Sequence, residues 1–140
     1  MDFDGKDRVQ RLVARPPVYV HANDTLRRVA ETFVEESIGA ALVRGPHGAM
    51  GLVSERDIVR ALAEGGAADD TTAEDVMAEE LVTCAPDDEI RVVVHRMLDA
   101  EIRHIPIMED GVATGMVSAR DALRALLEET EGSTREERSR

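Results

Sequence analysis

The sequence predicts an α/β (α+β) protein built from two tandem β-α-β-β-α half-domains, and three observations carry that expectation. The chain matches itself without gaps when shifted by 64 residues. Strand and helix periodicities recur in the same order in each copy. Polar or Gly/Pro-containing breaks separate the elements. Residues 18–64 fall on residues 82–128, and 15 of the 47 positions are identical. Average residue usage would give about three. A repeat of this quality marks a tandem duplication.

In the first copy Val18–Val20 reads as a short apolar strand, closed by Asn23 and Asp24, which suit a helix cap. Leu26, Val29, Ala30, Phe33 and Val34 recur at helical spacing and form one apolar stripe. Gly39 follows, then a strand over Ala40–Val43. A turn at Arg44-Gly45-Pro46-His47-Gly48 leads to a returning strand, Ala49–Val53. Ser54 then opens a helix carrying Ile58, Val59, Leu62 and Ala63. The second copy repeats the plan with Ile90, Val93, Val94, Met97 and Leu98 on its first helix. Its hairpin joins Ile105–Met108 to Val112–Val117 through Glu109-Asp110-Gly111, a strong turn signal. Thr72-Ala73-Glu74-Asp75 forms a capping-box pattern opening a short helix through Met77. Arg8–Ala14, 64 residues upstream, is its expected counterpart. Each copy alone is small for a core, so the expectation is sheet-to-sheet packing about a pseudo-twofold axis. The expected bounds are 8–64 and 73–128 for the repeats, 65–72 for a linker, and 129–140 for a charged, disordered tail.

Composition excludes several classes. At 140 residues, with 43% apolar and 33% charged residues, the chain has an ordinary soluble balance. Its aromatics are Phe3, Tyr19 and Phe33, so aliphatic residues and Met must build the core. No apolar run approaches the ~20 residues that span a bilayer. The start, Met-Asp-Phe-Asp-Gly-Lys, lacks a basic-then-apolar leader, so a cytoplasmic location is expected. Seventeen Lys plus Arg against twenty-nine Asp plus Glu leave a net charge of −12. That field repels a phosphate backbone and disfavours nucleic-acid binding. Cys84 stands alone, which excludes an internal disulfide and a Cys-rich zinc site.

The best-matched stretch is Gly51-Leu-Val-Ser54-Glu-Arg56-Asp57 against Gly115-Met-Val-Ser118-Ala-Arg120-Asp121. A strand ends and a helix begins there. A helix N-terminus suits a phosphate, Ser donates to phosphate oxygen, and Arg56 or Arg120 supplies opposite charge. A carboxylate one turn in accepts from vicinal ribose hydroxyls. The same atoms also spell a capping box, which by base rate is the commoner use. A cap does not require the Arg two residues after Ser in both copies.

These features together resemble a cystathionine-β-synthase (CBS) domain pair over roughly residues 8–128. The likeness rests on Asp75-Val76-Met77, the stretch Val82–Asp88, Arg103-His104-Ile105-Pro106-Ile107, the Glu-Asp-Gly turn, and Gly-h-h-Ser-x-Arg-Asp closing each copy. It implies two clefts between paired sheets and an adenosine-containing ligand: AMP, ADP, ATP, S-adenosylmethionine or NAD. One cleft would join Ser54, Arg56 and Asp57 to Thr83, His104, Ile105 and Pro106. The other would join Ser118, Arg120 and Asp121 to Tyr19, Val20, Ala40 and Ala41. The first keeps the more family-like set and is the favoured site, because Tyr19 replaces Thr83 and Ala41-Leu42 replaces Ile105-Pro106 in the first copy.

No catalytic or metal-binding constellation stands out. His21, His47, His95 and His104 lack ligand spacing, and only His104 enters an expected ligand strand. Cys84 reads as a small buried apolar residue. The expectation is therefore a stand-alone, non-catalytic sensor of adenosine ligands such as an energy sensor, with no required cofactor. The resemblance further implies a homodimer, for which the apolar helix faces are the expected contact surfaces, with output to an unidentified protein target and no membrane or nucleic-acid partner. The alternative is an interaction module with ligand-free clefts.

Overall fold

The computed structural model describes residues 5–13 and 15–138, with position 50 and residues 129–138 given by backbone alone. Phe3 and Ala14, the end of the expected opening segment, lie outside the described residues. Among the described residues no helix is long and apolar enough to cross a membrane.

The chain forms two compact units, residues 17–81 and residues 1–16 with 82–140. In the first, β1 (Tyr19–His21), α1 (Leu26–Glu36), β2 (Ala40–Gly45), β3 (Gly48–Ser54), α2 (Glu55–Ala63) and the one-turn α3 (Ala73–Val76) follow in order. β1 pairs parallel to β2, which pairs antiparallel to β3. The second unit holds a single 3-10 turn (Val9–Leu12), α4 (Ile90–Ala100), β4 (His104–Glu109), β5 (Val112–Ser118) and α5 (Ala119–Arg138), with β4 antiparallel to β5. α1 and α4, β2 and β4, and β3 and β5 are each related by 64 residues at both ends. The tandem β-α-β-β-α plan is present.

Burial alternates along β1 and β5, whereas β2 is buried at four successive positions, Ala40 to Val43. Val20, Ala41, Val43 and Val53 bury against Val29 and Phe33 of α1, together with Ala73. In the other unit Ile105, Ile107 and Val117 bury with Val93, Met97, Cys84 and Val9. Cys84 is buried, and that burial pushes its thiol up to about 11, so it stays protonated at neutral pH.

Each unit takes its opening segment from the other repeat. Val9 and Gln10 donate N–H to the carbonyls of Asp88 and Pro86, at 2.8 and 3.3 Å. Sixty-four residues on, Ala73 and Glu74 donate to Asp24 and Ala22, at 2.9 and 3.0 Å. Within the opening turn of α3, the Thr72 N–H donates to Asp75 Oδ2 at 3.0 Å and holds that carboxyl below its ordinary range.

Gly51 and Gly115 let these segments approach. A Cβ on Gly51 would lie 2.5 Å from the Ala78 carbonyl oxygen and 2.7 Å from Met77 Sδ. On Gly115 it would lie 2.6 Å from Val13 Cγ1. Both glycines sit beside a β-bulge, where the register shifts between Val43 and Arg44 and between Ile107 and Met108. The extra residues, Met50 and Thr114, belong to β3 and β5.

Three details differ from the sequence expectation. The α1 cap is Thr25, whose hydroxyl accepts from the Arg28 N–H at 3.2 Å. Asp24 instead accepts from the His21 N–H at 2.9 Å, as Asp88 does from Ala85 at 2.8 Å, so this repeated Asp braces the turn before each helix. The first strand of the second copy shrinks to a bridge between Cys84 and Ile107. The Ala22 N–H extends the pairing in the first copy by donating to the Arg44 carbonyl, whereas Pro86 has no N–H to offer. Finally, the α5 backbone stays helical to Arg138, past the expected start of a disordered tail at 129; its Glu and Arg content favours helix even without apolar residues.

Asp88 ties three strands of chain together in its unit. It accepts from Ala85 and from Arg96 at 2.8 Å, and Arg96 also donates to the Thr83 carbonyl. The Ala85 N–H foremost, and Arg96 with it, hold the Asp88 carboxyl below its usual range. A depressed folded pKa gives stability that is whole above the ordinary carboxylate value of about 4 and is lost as pH falls through the lower value. Asp88→Ala should lower stability by about 1 kcal/mol at pH 7. Urea midpoints should show that deficit shrinking by pH 3; an equal deficit at both pH values would contradict this role.

Candidate functional site

Ser54 and Ser118 each end a strand and begin a helix, as their shared local sequence requires. The Ser54 N–H and hydroxyl both donate to Asp57 Oδ2, at 2.8 and 3.0 Å, and the Asp57 N–H approaches Ser54 Oγ at 3.4 Å. The Ser118 N–H donates to Asp121 Oδ2 at 3.1 Å, and Asp121 N–H donates to Ser118 Oγ at 3.0 Å. Both closing motifs are therefore capping boxes. The cap uses Oδ2 of Asp57 and leaves Oδ1 outside it, 4.0 Å from an Arg60 guanidinium nitrogen. Asp121 likewise caps through its Oδ2. Arg56 and Arg120 are exposed in the first turns of their helices.

The strand candidates divide by burial. Val20 and Ala41 sit in the core of the first unit, and Ile105 in that of the second; Pro106 is fully buried as well. Their side chains serve the packing of the two cores. Thr83, His104 and Tyr19 are half-buried and keep side-chain surface. Within the units, Ala40 stands opposite Ser54 and His104 opposite Ser118 across the antiparallel pairs. Tyr19, Val20 and Ala41 thus share a unit with Ser54, Arg56 and Asp57, while Thr83, His104, Ile105 and Pro106 share one with Ser118, Arg120 and Asp121.

Arg44 was not singled out by the sequence. Its guanidinium carbon lies 4.1 Å from the centroid of the Tyr19 ring, a cation–π distance. The available signal was the repeat itself, which sets Met108 at the equivalent position.

Two duplicated half-domains, each closed by a capped Ser-x-Arg-Asp turn, define a tandem-repeat protein of mixed α/β architecture. A family model described as the CBS domain matches residues 9–64 and again 73–128, and the chain belongs to the CBS domain family. It is 32% identical over 113 residues to the mitochondrial CBS domain-containing protein CBSX3 of Arabidopsis thaliana, covering 76% of this chain and 55% of that protein. The chain thus spans about half the length of that relative. Its structure matches the CBS-domain containing protein ATU1752 of Agrobacterium tumefaciens with a TM-score of 0.80 and 28% identity, covering 84% of this chain and 98% of that one. The CBS domain protein PAE2072 of Pyrobaculum aerophilum, solved in complex with AMP, matches with a TM-score of 0.73 and 29% identity, covering 81% and 88%.

Proposed function

We propose that this CBS pair binds an adenosine-containing ligand and regulates without catalysing. The observation that carries the reading is Asp57 at a capped helix start, its Oδ2 taken by the cap and its Oδ1 outside the cap, 4.0 Å from an Arg60 nitrogen. A carboxylate oxygen held there suits ribose hydroxyls, and the adjoining helix N-terminus suits phosphate. Complex formation of PAE2072 with AMP supports the ligand class. Ser54, Arg56 and Asp57 are the favoured closing motif, and Ser118, Arg120 and Asp121 the second. Ligand binding would act as a signal only by favouring one conformational state over another.

Output would pass to a protein target or through a homodimer in the cytoplasm. Apolar residues left exposed on the helices favour self-association: Val34 and Val59 are 80% and 66% exposed, and Leu98 and Leu123 are 68% and 65%. Large apolar side chains exposed at equivalent helix positions of both repeats suit an interaction face.

Thermal shift with AMP, ADP, ATP, S-adenosylmethionine and NAD, against GTP as control, tests the ligand. A ligand at one hundred times its Kd adds about 2.7 kcal/mol to the folded state. Asp57→Asn keeps a carbonyl oxygen for the cap but loses the charged acceptor, so the same ligand should bind about tenfold more weakly at nearly unchanged parent stability. No shift with any adenosine compound at millimolar concentration would instead leave an interaction module with empty clefts.

A further inference from the structure

Duplication gave each unit a pair of helices on the same plan, and the two pairs differ in side-chain size and in charge. In the first unit α1 and α2 border an open apolar groove of about 440 Å³, lined by Leu26, Ala30, Val34, Ile58, Leu62 and Ala68. α2 buries none of its residues, whereas its counterpart α5 buries Ala122 and Ala125. Three exposed apolar positions recur 64 residues apart. The first unit has Val34, Val59 and Ala63 there, and the second has Leu98, Leu123 and Leu127. At each of them the second unit carries the larger side chain.

Charge differs too. Over residues 26–36 and 55–64 the first unit has four Arg against six acidic residues, a balance of −2. Over residues 90–100 and 119–128 the second has four Arg against three acidic residues, a balance of +1 with His95 neutral. The sharpest exchange is Glu31 for His95.

Two copies can meet through like units or through unlike ones. Like pairing sets −2 against −2 and +1 against +1, repulsive in both cases, whereas unlike pairing sets −2 against +1 and is attractive. Side-chain size favours the same choice. Val, Val and Ala facing themselves leave voids, and three Leu facing three Leu crowd; large side chains set against small ones interdigitate.

We infer that a second copy of this chain covers these helices with the units exchanged: the first-unit groove of one copy receives Leu98, Leu123 and Leu127 of the other. This rests on the self-association reading, is independent of the ligand, and adds which faces meet.

Sedimentation velocity gives the mass of the parent, which should be that of a dimer at micromolar concentration. Leu98→Glu should weaken that dimer at least about tenfold. Val34→Cys and Leu98→Cys, both at exposed positions, then report the facing surfaces. One variant carries a size tag, and a short bismaleimide is added to each alone and to their mixture. Cys84 is buried, so the parent is the control without product. The mixed tagged–untagged product should exceed either same-variant product by about tenfold. Same-variant products that match the mixed one, or no product from a dimeric parent, overturn the exchange and leave self-association standing. A dimer that Leu98→Glu leaves intact places the contact elsewhere and does the same. A monomeric parent overturns both readings. Unchanged melting of the variants separates these outcomes from misfolding.

Discussion

Gly51→Ala should destabilise the protein by about 3 kcal/mol, at the upper end of ordinary overpacking costs. The added methyl meets a carbonyl oxygen of Ala78 at 2.5 Å and the Met77 side chain at 2.7 Å. The carbonyl belongs to a segment paired to Leu52 by two N–H···O bonds, at 3.0 and 2.9 Å. Relief therefore means breaking that pairing or displacing α3. Gly115→Ala meets only the branched end of Val13, at 2.6 and 2.9 Å, which a rotamer change relieves in part. It should cost less, about 1–2 kcal/mol. Urea denaturation of the two variants reads the difference. Equal midpoints would show that the rigidity of the opposing atom does not set the cost.

Ile105→Ala should cost about 3–4 kcal/mol, in the range of large-to-small core changes. Ile105 is fully buried among Val9, Val93, Met97, Ile107 and Val117, and few of these neighbours can collapse into the gap without moving β4. Ile105→Val should cost only about 1 kcal/mol. Ligand affinity measured on Ile105→Val then separates packing from recognition. If backbone atoms alone of this strand meet the ligand, affinity should stay within about twofold of the parent, whereas a tenfold loss would place the side chain itself in contact.

The sequence made the half-domain plan legible because a strand-helix-strand-strand-helix order leaves apolar stripes at every element. Asp110-Gly111 was legible because a two-residue hairpin turn demands positive φ twice; both residues adopt it, at 52° and 79°. The helix cap was harder. Asp24 and Thr25 both have the chemistry of a cap, and only the three-dimensional turn shows that Asp24 reaches back to His21 while Thr25 reaches forward to Arg28. The partnership of the opening segments was hidden for a deeper reason. Duplication makes residues near 9 and near 73 alike, so neither pattern says which repeat body it joins. Of the candidate site, the Ser-x-Arg-Asp turns were readable as local signals. Arg44 was not, because its meaning lies in a ring on a neighbouring strand.

That crossing-over of opening segments also bears on how the protein is made. Residues 17–81 form a continuous unit, complete once the ribosome has released the α3 turn. The other unit needs its opening segment, made before the first unit, and β4, β5 and α5, made after it. That opening segment must therefore wait while the whole first unit is made, exposing Val9 until its own partners emerge. The first unit closes locally and early, whereas the second carries the longer loop-closure delay. A stalled or truncated nascent chain would release one finished half bearing an unfinished end.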